Sequence, residues 1–235
     1  MKIICIALCI AFTSCKKDDQ TIAPSCKITT VAGTVTGGGS SLYTITYNAD
    51  GRISTLTSGN SITTFSYNGN TIIENTTTGG AFASKETITN NAAGYATYTH
   101  TETNAAGTVW YDQALEYNGT QLIKVTGTSS SSPNPSVSTY TWSAGNLTSV
   151  TAGNTSSTLD YYTDKAAAGD YLELSELLQG IKIYNNKNAI KSITSPGSSV
   201  TSFVYDYNTD GKTSKVTISV GGVVSTVYTY GYTCK

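Results

Sequence analysis

The sequence predicts an all-β chain: an antiparallel up-and-down meander of roughly 14 to 18 short strands, rolled or closed into a barrel, with one short helix near 170–180. Composition is the first of three observations behind this. Of 235 residues, 41 are Thr, 28 Ser, 16 Asn and 22 Gly, and 17 Tyr stand beside one Met, one His and two Trp. Thr with Tyr is a strand-forming mixture. Alternation is the second: Tyr43, Ile45 and Tyr47 share one face with Thr44 and Thr46 on the other, and Phe203, Tyr205 and Tyr207 oppose Val204 and Asp206. A period of two with one apolar face describes a strand wetted on one side only. The third is a recurring turn of Tyr-Asn-x-x-Gly type.

Residues 1–14 read as an export signal and not as part of the fold. Met1-Lys2 precedes the apolar run Ile3 to Phe12, which is about half the length that spans a bilayer as a helix. The ending Phe12-Thr13-Ser14-Cys15 resembles a bacterial lipobox, which implies cleavage before Cys15 and its acylation, with plain secretion and a stray cysteine as the alternative. Residues 15–25 then form a lipidated tether. Lys16-Lys17-Asp18-Asp19-Gln20 resembles the acidic tag, led by Lys, that routes Bacteroidetes lipoproteins to the cell-surface side of the outer membrane. A tether that is merely solvated leaves the periplasmic face as the alternative.

Cys5 and Cys9 leave with the signal and Cys15 carries lipid, so Cys26 and Cys234 remain. In an oxidising compartment an even pair favours a disulfide, with free buried thiols as the alternative. Without His neighbours they make a poor metal site, and no metal or cofactor is expected.

Residues 26–235 form a single domain punctuated by nine turn units. Tyr47-Asn48-Ala49-Asp50-Gly51 and Tyr207-Asn208-Thr209-Asp210-Gly211 are full copies. Tyr67-Asn68-Gly69, Tyr117-Asn118-Gly119 and Trp142-Ser143-Ala144-Gly145 are contracted. Asn91-Ala92-Ala93-Gly94, Asn104-Ala105-Ala106-Gly107, Tyr184-Asn185-Asn186-Lys187 and Tyr162-Thr163-Asp164 are degenerate. Asn-Gly and Asp-Gly supply the positive φ angles of tight hairpins, so each copy predicts a hairpin tip.

Two segments depart from this pattern. Ser129 to Pro135 reads as a surface loop, because its prolines cannot extend a ladder. Asp170 to Leu178 reads as a helix: Asp170 can cap it, Leu172, Leu174, Leu177 and Leu178 have partly helical spacing, and Gly180 can end it. A plug on one end of the rolled sheet would bury its stripe; since Tyr171-Leu172-Glu173-Leu174 also alternates, an extra strand is the alternative. A Cys26–Cys234 bridge would require the last strand to return beside the first, favouring closure over an open twisted sheet. A membrane-spanning barrel is disfavoured, because its outer band is aliphatic between aromatic girdles, whereas here Tyr is spread along the strands and the polar face is Thr.

Singly, the Tyr and Gly units resemble YD repeats. The run Tyr171 to Gly180, then Ile190-Lys191-Ser192-Ile193-Thr194, then Phe203 to Lys212 is more specific. It resembles a Bacteroidetes surface lipoprotein family of unknown function with a porin-like barrel fold, over roughly residues 43–232 with the clearest matches after Tyr171. The resemblance implies a barrel and offers no catalytic residue.

Chemistry narrows the function further. A net charge of −1 leaves no basic surplus for a polyanion, which excludes nucleic-acid binding as an expectation. Asp206 to Gly211 matches the start of a calcium loop, but Thr217 stands where the bidentate Glu is required. His100 is the sole imidazole, shares a strand face with Tyr98 and Glu102, and reads as structural. The strand carboxylates Glu74, Glu86, Glu102 and Glu116 follow no catalytic motif, so no enzyme is expected. Trp110, Tyr111, Tyr140 and Trp142 are candidates to stack on sugar rings or peptide side chains, with core filling as their alternative role. The expected protein is a non-enzymatic, lipid-anchored outer-membrane or cell-surface barrel that binds a glycan, peptide or partner subunit. A structural or adhesion module is the alternative, and a carboxylate-dependent hydrolase a more distant one.

Overall fold

The computed structural model describes residues 26–234; the expectations for Cys15, the signal and the tether lie outside the described residues. Among the described residues the chain runs β1 (Cys26–Val35), β2 (Ser40–Tyr47), β3 (Ile53–Ser58), β4 (Ser61–Asn68), β5 (Thr71–Thr78), β6 (Ala81–Asn90), β7 (Ala96–Glu102) and β8 (Trp110–Asn118). It continues through β9 (Gln121–Ser129), β10 (Ser132–Ser143), β11 (Asn146–Ala152), β12 (Thr155–Ala166), α1 (Tyr171–Leu178), β13 (Asn188–Thr194), β14 (Thr201–Tyr207), β15 (Thr213–Val220) and β16 (Val223–Cys234). Every strand pairs antiparallel with its sequence neighbours and β16 returns to β1, closing a sixteen-strand barrel. Cys26 faces Cys234 in register across that seam, and the two are disulfide-bonded with Cα atoms 3.9 Å apart.

Closure explains the composition. Ile45, Phe65, Leu115, Leu147, Leu159, Phe203, Tyr205 and Val216 point inward and are buried. The opposite face of each strand is the outer wall, where hydroxyls are frequent and Leu42, Ile62, Val137 and Val204 are exposed among them: Thr44 pairs Thr57 and Thr46 pairs Thr55, whose hydroxyls lie 2.7 Å apart. Thr139 pairs Thr151, and Thr158 pairs Thr194, in the same way. Short ion pairs, among them Lys124–Glu116, Lys215–Asp206 and Lys85–Glu102, are set into this wall.

Seven of the nine predicted tips are hairpin turns, between β2–β3, β4–β5, β6–β7, β7–β8, β8–β9, β10–β11 and β14–β15. In the longer turns the Asn side chain closes the loop. Asn208 Oδ1 accepts from the backbone N–H groups of Asp210 and Lys212, and Asn91 Oδ1 from those of Ala93 and Tyr95. The two copies without glycine fail as tips, lacking the residue that takes positive φ most freely. Tyr162-Thr163-Asp164 runs inside β12 opposite an irregular stretch of β13, and Tyr184 to Lys187 belongs to the long β12–β13 connection. Ser129 to Pro135 is also shorter as a loop than predicted: β10 begins at Ser132, and the prolines fall in the register break between Ser132 and Ser136.

The aromatic before several tips, and Tyr232 near the end of β16, have a recurring job. Tyr47 donates its hydroxyl proton to the Ile28 carbonyl, Tyr67 to Ile53, Tyr232 to Thr213, and Trp142 donates its indole N–H to Leu122, at 2.6 to 2.8 Å. Each strap ties a strand to the one before it, inside the barrel. Because the meander alternates in direction, six of the seven tips share one rim with Cys26, Cys234 and the β12–β13 connection. That rim is the terminal rim; the Asn104 turn belongs to the far rim.

Candidate functional site

The β12–β13 connection folds into the barrel as a plug. Asp170 caps α1, its Oδ1 accepting from Glu173 N at 3.0 Å while Oδ2 accepts from Ile190 N of β13 at 3.1 Å, so one carboxylate starts the helix and fixes it to the wall. Gly180, at φ 64, ends it, with Ile181 N bonded to Glu176 O and Gly180 N to Leu177 O. Tyr171 stacks on Phe203 of β14 at 4.8 Å, and Leu174 is buried in the same core. The helix then crosses the lumen, because Gly180 lies against Phe65 of β4 and Glu74 of β5. From there the chain follows the wall back: Ala96 N donates to Lys182 O, and Leu147 N to Asn186 Oδ1.

Gly180 tests this docking. A Cβ there would meet the Glu74 carboxylate and the Phe65 ring, on a backbone conformation already unfavourable for an L residue. Gly180→Ala is expected to cost about 2–3 kcal/mol, from left-handed backbone strain plus overpacking, read by urea denaturation.

Acids dominate the polar chemistry of the plug. Glu74 stands directly opposite Glu86 in the β5–β6 ladder, both facing inward; Glu74 is 7% exposed and its Oε1 has no hydrogen-bond partner among the described residues. Burial, with Glu86 beside it, pushes Glu74 up to about 8. Burial likewise lifts Glu176 to about 7 and Asp170 to about 6, against the pull of the backbone N–H groups they accept from. Glu176 takes those of Ile183 and Tyr184.

Between the plug and the wall, at the terminal rim, opens a cavity of about 770 Å³. Its floor is apolar, with Ile28, Ile53, Ile72, Leu172, Leu177 and Ile181, and Tyr47, Tyr184, Tyr230 and Tyr232 frame it. Lys27, Lys182 and Lys212 enter from three different elements.

Solved structures share this architecture. A porin-like protein from Bacteroides uniformis superposes with a TM-score of 0.63 at 17% identity, covering 88% of this chain and 96% of its own. A porin-like protein from Bacteroides vulgatus gives 0.58 at 13% identity, covering 87% and 97%. The likeness is one of fold. No family model and no curated protein matches the chain.

The four aromatics proposed for stacking do not form one platform. Trp110 points outward, its ring 6.1 Å from that of His100, while Tyr111, on the opposite face, lies inside the far half of the barrel. Tyr140 and Trp142 point inward, Tyr140 beside Tyr184 of the plug at 6.4 Å and Trp142 strapped to Leu122 of the wall. His100 lies on the outer wall, where its ring nitrogens contact Asp112 and Glu102, and Lys85 pairs with Glu102. Sequence reasoning placed His100 with Glu102 but missed Asp112, whose position depends on strand register. It also missed the cavity, whose residues come from seven regions of chain between Cys26 and Tyr232.

Proposed function

We propose that this chain is a non-enzymatic, lipid-anchored outer-membrane protein, held through Cys15 and displaying the plugged barrel at the cell surface, and that it binds a small ligand in the mouth at the terminal rim. The 770 Å³ cavity carries this reading, since its size and its apolar, Tyr-framed lining are those of a ligand site. The split of Trp110 from Tyr140 and Trp142 favours this concave site over glycan stacking on a flat aromatic platform. A Thr-paved outer wall supports attachment by lipid, because a wall that faces hydrocarbon needs an apolar band.

Cys15→Ala is expected to leave unprocessed or released protein; mass spectrometry finding an unmodified mature terminus elsewhere in the wild type would remove the anchor. For the mouth, Tyr184→Ala and Ile53→Ala are expected to weaken a ligand found by screening tenfold or more, while Trp110→Ala leaves binding unchanged. The reverse pattern would move the site to the outer wall.

The structural or adhesion reading draws on the same hydroxyl-rich wall, and predicts no saturable ligand in the mouth. The Glu74–Glu86 pair offers a hydrolase two carboxyl groups, but Gly180 and Phe65 cover Glu74 and no water or substrate reaches its unpartnered oxygen. A hydrolase screen that gives activity lost in Glu74→Gln would reverse this.

A further inference from the structure

We propose that the mouth cavity takes an anionic amphiphile, its apolar body against the plug and its acid group on Lys27, Lys182 and Lys212; this rests on the reading of the mouth as a ligand site. The apolar floor is the first ground. Ile28, Ile53 and Ile72 from the wall and Leu172, Leu177 and Ile181 from the plug would remove an alkyl or ring system from water, at about 25 cal/mol per Å² buried.

The second ground is an imbalance in how the charges at this rim are used. Among the described residues the lysine and arginine ion pairs join Arg52 to Asp50, Lys85 to Glu102, Lys124 to Glu116, Lys165 to Asp164 and Lys215 to Asp206, and of these acids Asp50, beside Gly51 at the cavity edge, also feels the charge of Lys27. None of the three cavity lysines forms an ion pair among the described residues. Two of them are held in place without one. Lys27 Nζ sits 4.7 Å from the centre of the Tyr47 ring and donates to Gly51 O at 2.7 Å, and Lys182 Nζ sits 4.5 Å from that of Tyr95.

The cavity's carboxylates, by contrast, are already occupied by the backbone. Asp170 accepts from Glu173 N and Ile190 N, Glu173 from Gly169 N, and Glu176 from Ile183 N and Tyr184 N. An incoming acid therefore meets ammonium groups with donors to spare, while each of these carboxylates already holds at least one backbone N–H, Asp170 through both of its oxygens. The acid group can belong to a soluble amphiphile or to a lipid of the facing membrane, and the two share this chemistry.

Calorimetry on the chain carrying Cys15→Ser, with dodecanoate, dodecyl phosphate, dodecyl maltoside and dodecyltrimethylammonium each below its micelle concentration, separates head from tail. Both anions are expected to bind at least tenfold more tightly than the neutral and cationic probes. Lys27→Gln, Lys182→Gln and Lys212→Gln combined should abolish that preference and leave dodecyl maltoside unchanged. Equal affinity for all four heads overturns the inference but keeps the mouth as a ligand site; no binding of any of them, together with unchanged signals from Tyr184 and Tyr230, removes both. Binding of acetate or inorganic phosphate as tight as that of the dodecyl anions also overturns it, by removing the tail. Co-sedimentation with phosphatidylglycerol but not phosphatidylcholine vesicles, lost in the triple variant, would mark a membrane lipid as the source. Binding of monomers without such co-sedimentation would mark a soluble one.

Discussion

Cys26→Ser with Cys234→Ser is expected to lower the unfolding free energy by several kcal/mol, up to roughly 5 kcal/mol in the chain-entropy model for so long a loop. The bridge spans 208 positions and joins the first described residue to the last. Its effect lies mainly on the unfolded chain, which the crosslink turns into one large ring. In the folded state β1 and β16 remain zipped by pairs from Lys27–Thr233 to Val35–Thr226. Native circular dichroism should therefore persist in the double variant while the denaturation midpoint falls. A midpoint change too small to measure would mean that the unfolded chain is already compact at its ends.

Stability is expected to fall as pH rises between about 4.5 and 8, and Glu74 is the main cause. Its pKa in the folded chain is about 8 against an ordinary value of 4.5, so across this window the folded chain holds a proton that the unfolded chain releases. Below pH 4.5 both states are protonated and the group contributes no penalty; above 8 the folded barrel must hold a buried carboxylate, and the penalty is complete. A tenfold difference in proton affinity between the two states corresponds to about 1.4 kcal/mol, making the Glu74 effect several kcal/mol at most. Glu176 and Asp170, raised to about 7 and about 6, act in the same direction. Across the ladder Glu74 faces only another acid, Glu86, itself raised by burial, and so gains no counter-charge there. Glu74→Gln should be more stable than wild type at pH 8.5 and close to it at pH 4.5. Parallel pH profiles for the two proteins would place the titration elsewhere.

What could be read from the sequence follows from how local each feature is. Strand alternation at Tyr43–Tyr47 and the turn chemistry of Asn48 to Gly51 are set by neighbours within five residues, so both were legible. The Asp170 cap and the Gly180 stop were legible for the same reason. Two tips were misread because Tyr162-Thr163-Asp164 and Tyr184 to Lys187 keep the aromatic and the Asn or Asp but lack the glycine. Long-range register was hidden. Alternation alone puts Glu74 with Ile72 and Glu86 with Ile88 on inward faces, yet only the β5–β6 pairing sets the two acids opposite each other. The straps of Tyr47, Tyr67 and Trp142 were hidden likewise, since nothing local indicates which carbonyl a buried hydroxyl or indole will reach. The mouth required both kinds of information, a plug from 167–187 and a wall from distant strands.

The nearness of Cys26 and Cys234 has a consequence for orientation. A barrel whose ends meet has no intrinsic first strand, so it can be permuted: a short peptide across the old ends and a new opening at Gly79-Gly80 would retain all sixteen pairings and the plug. That turn lies on the far rim. Moving the proposed Cys15 anchor to the new start would therefore point the lysine-lined mouth away from the membrane. In this fold the choice of opening determines which way the mouth faces, independently of the sequence that builds it.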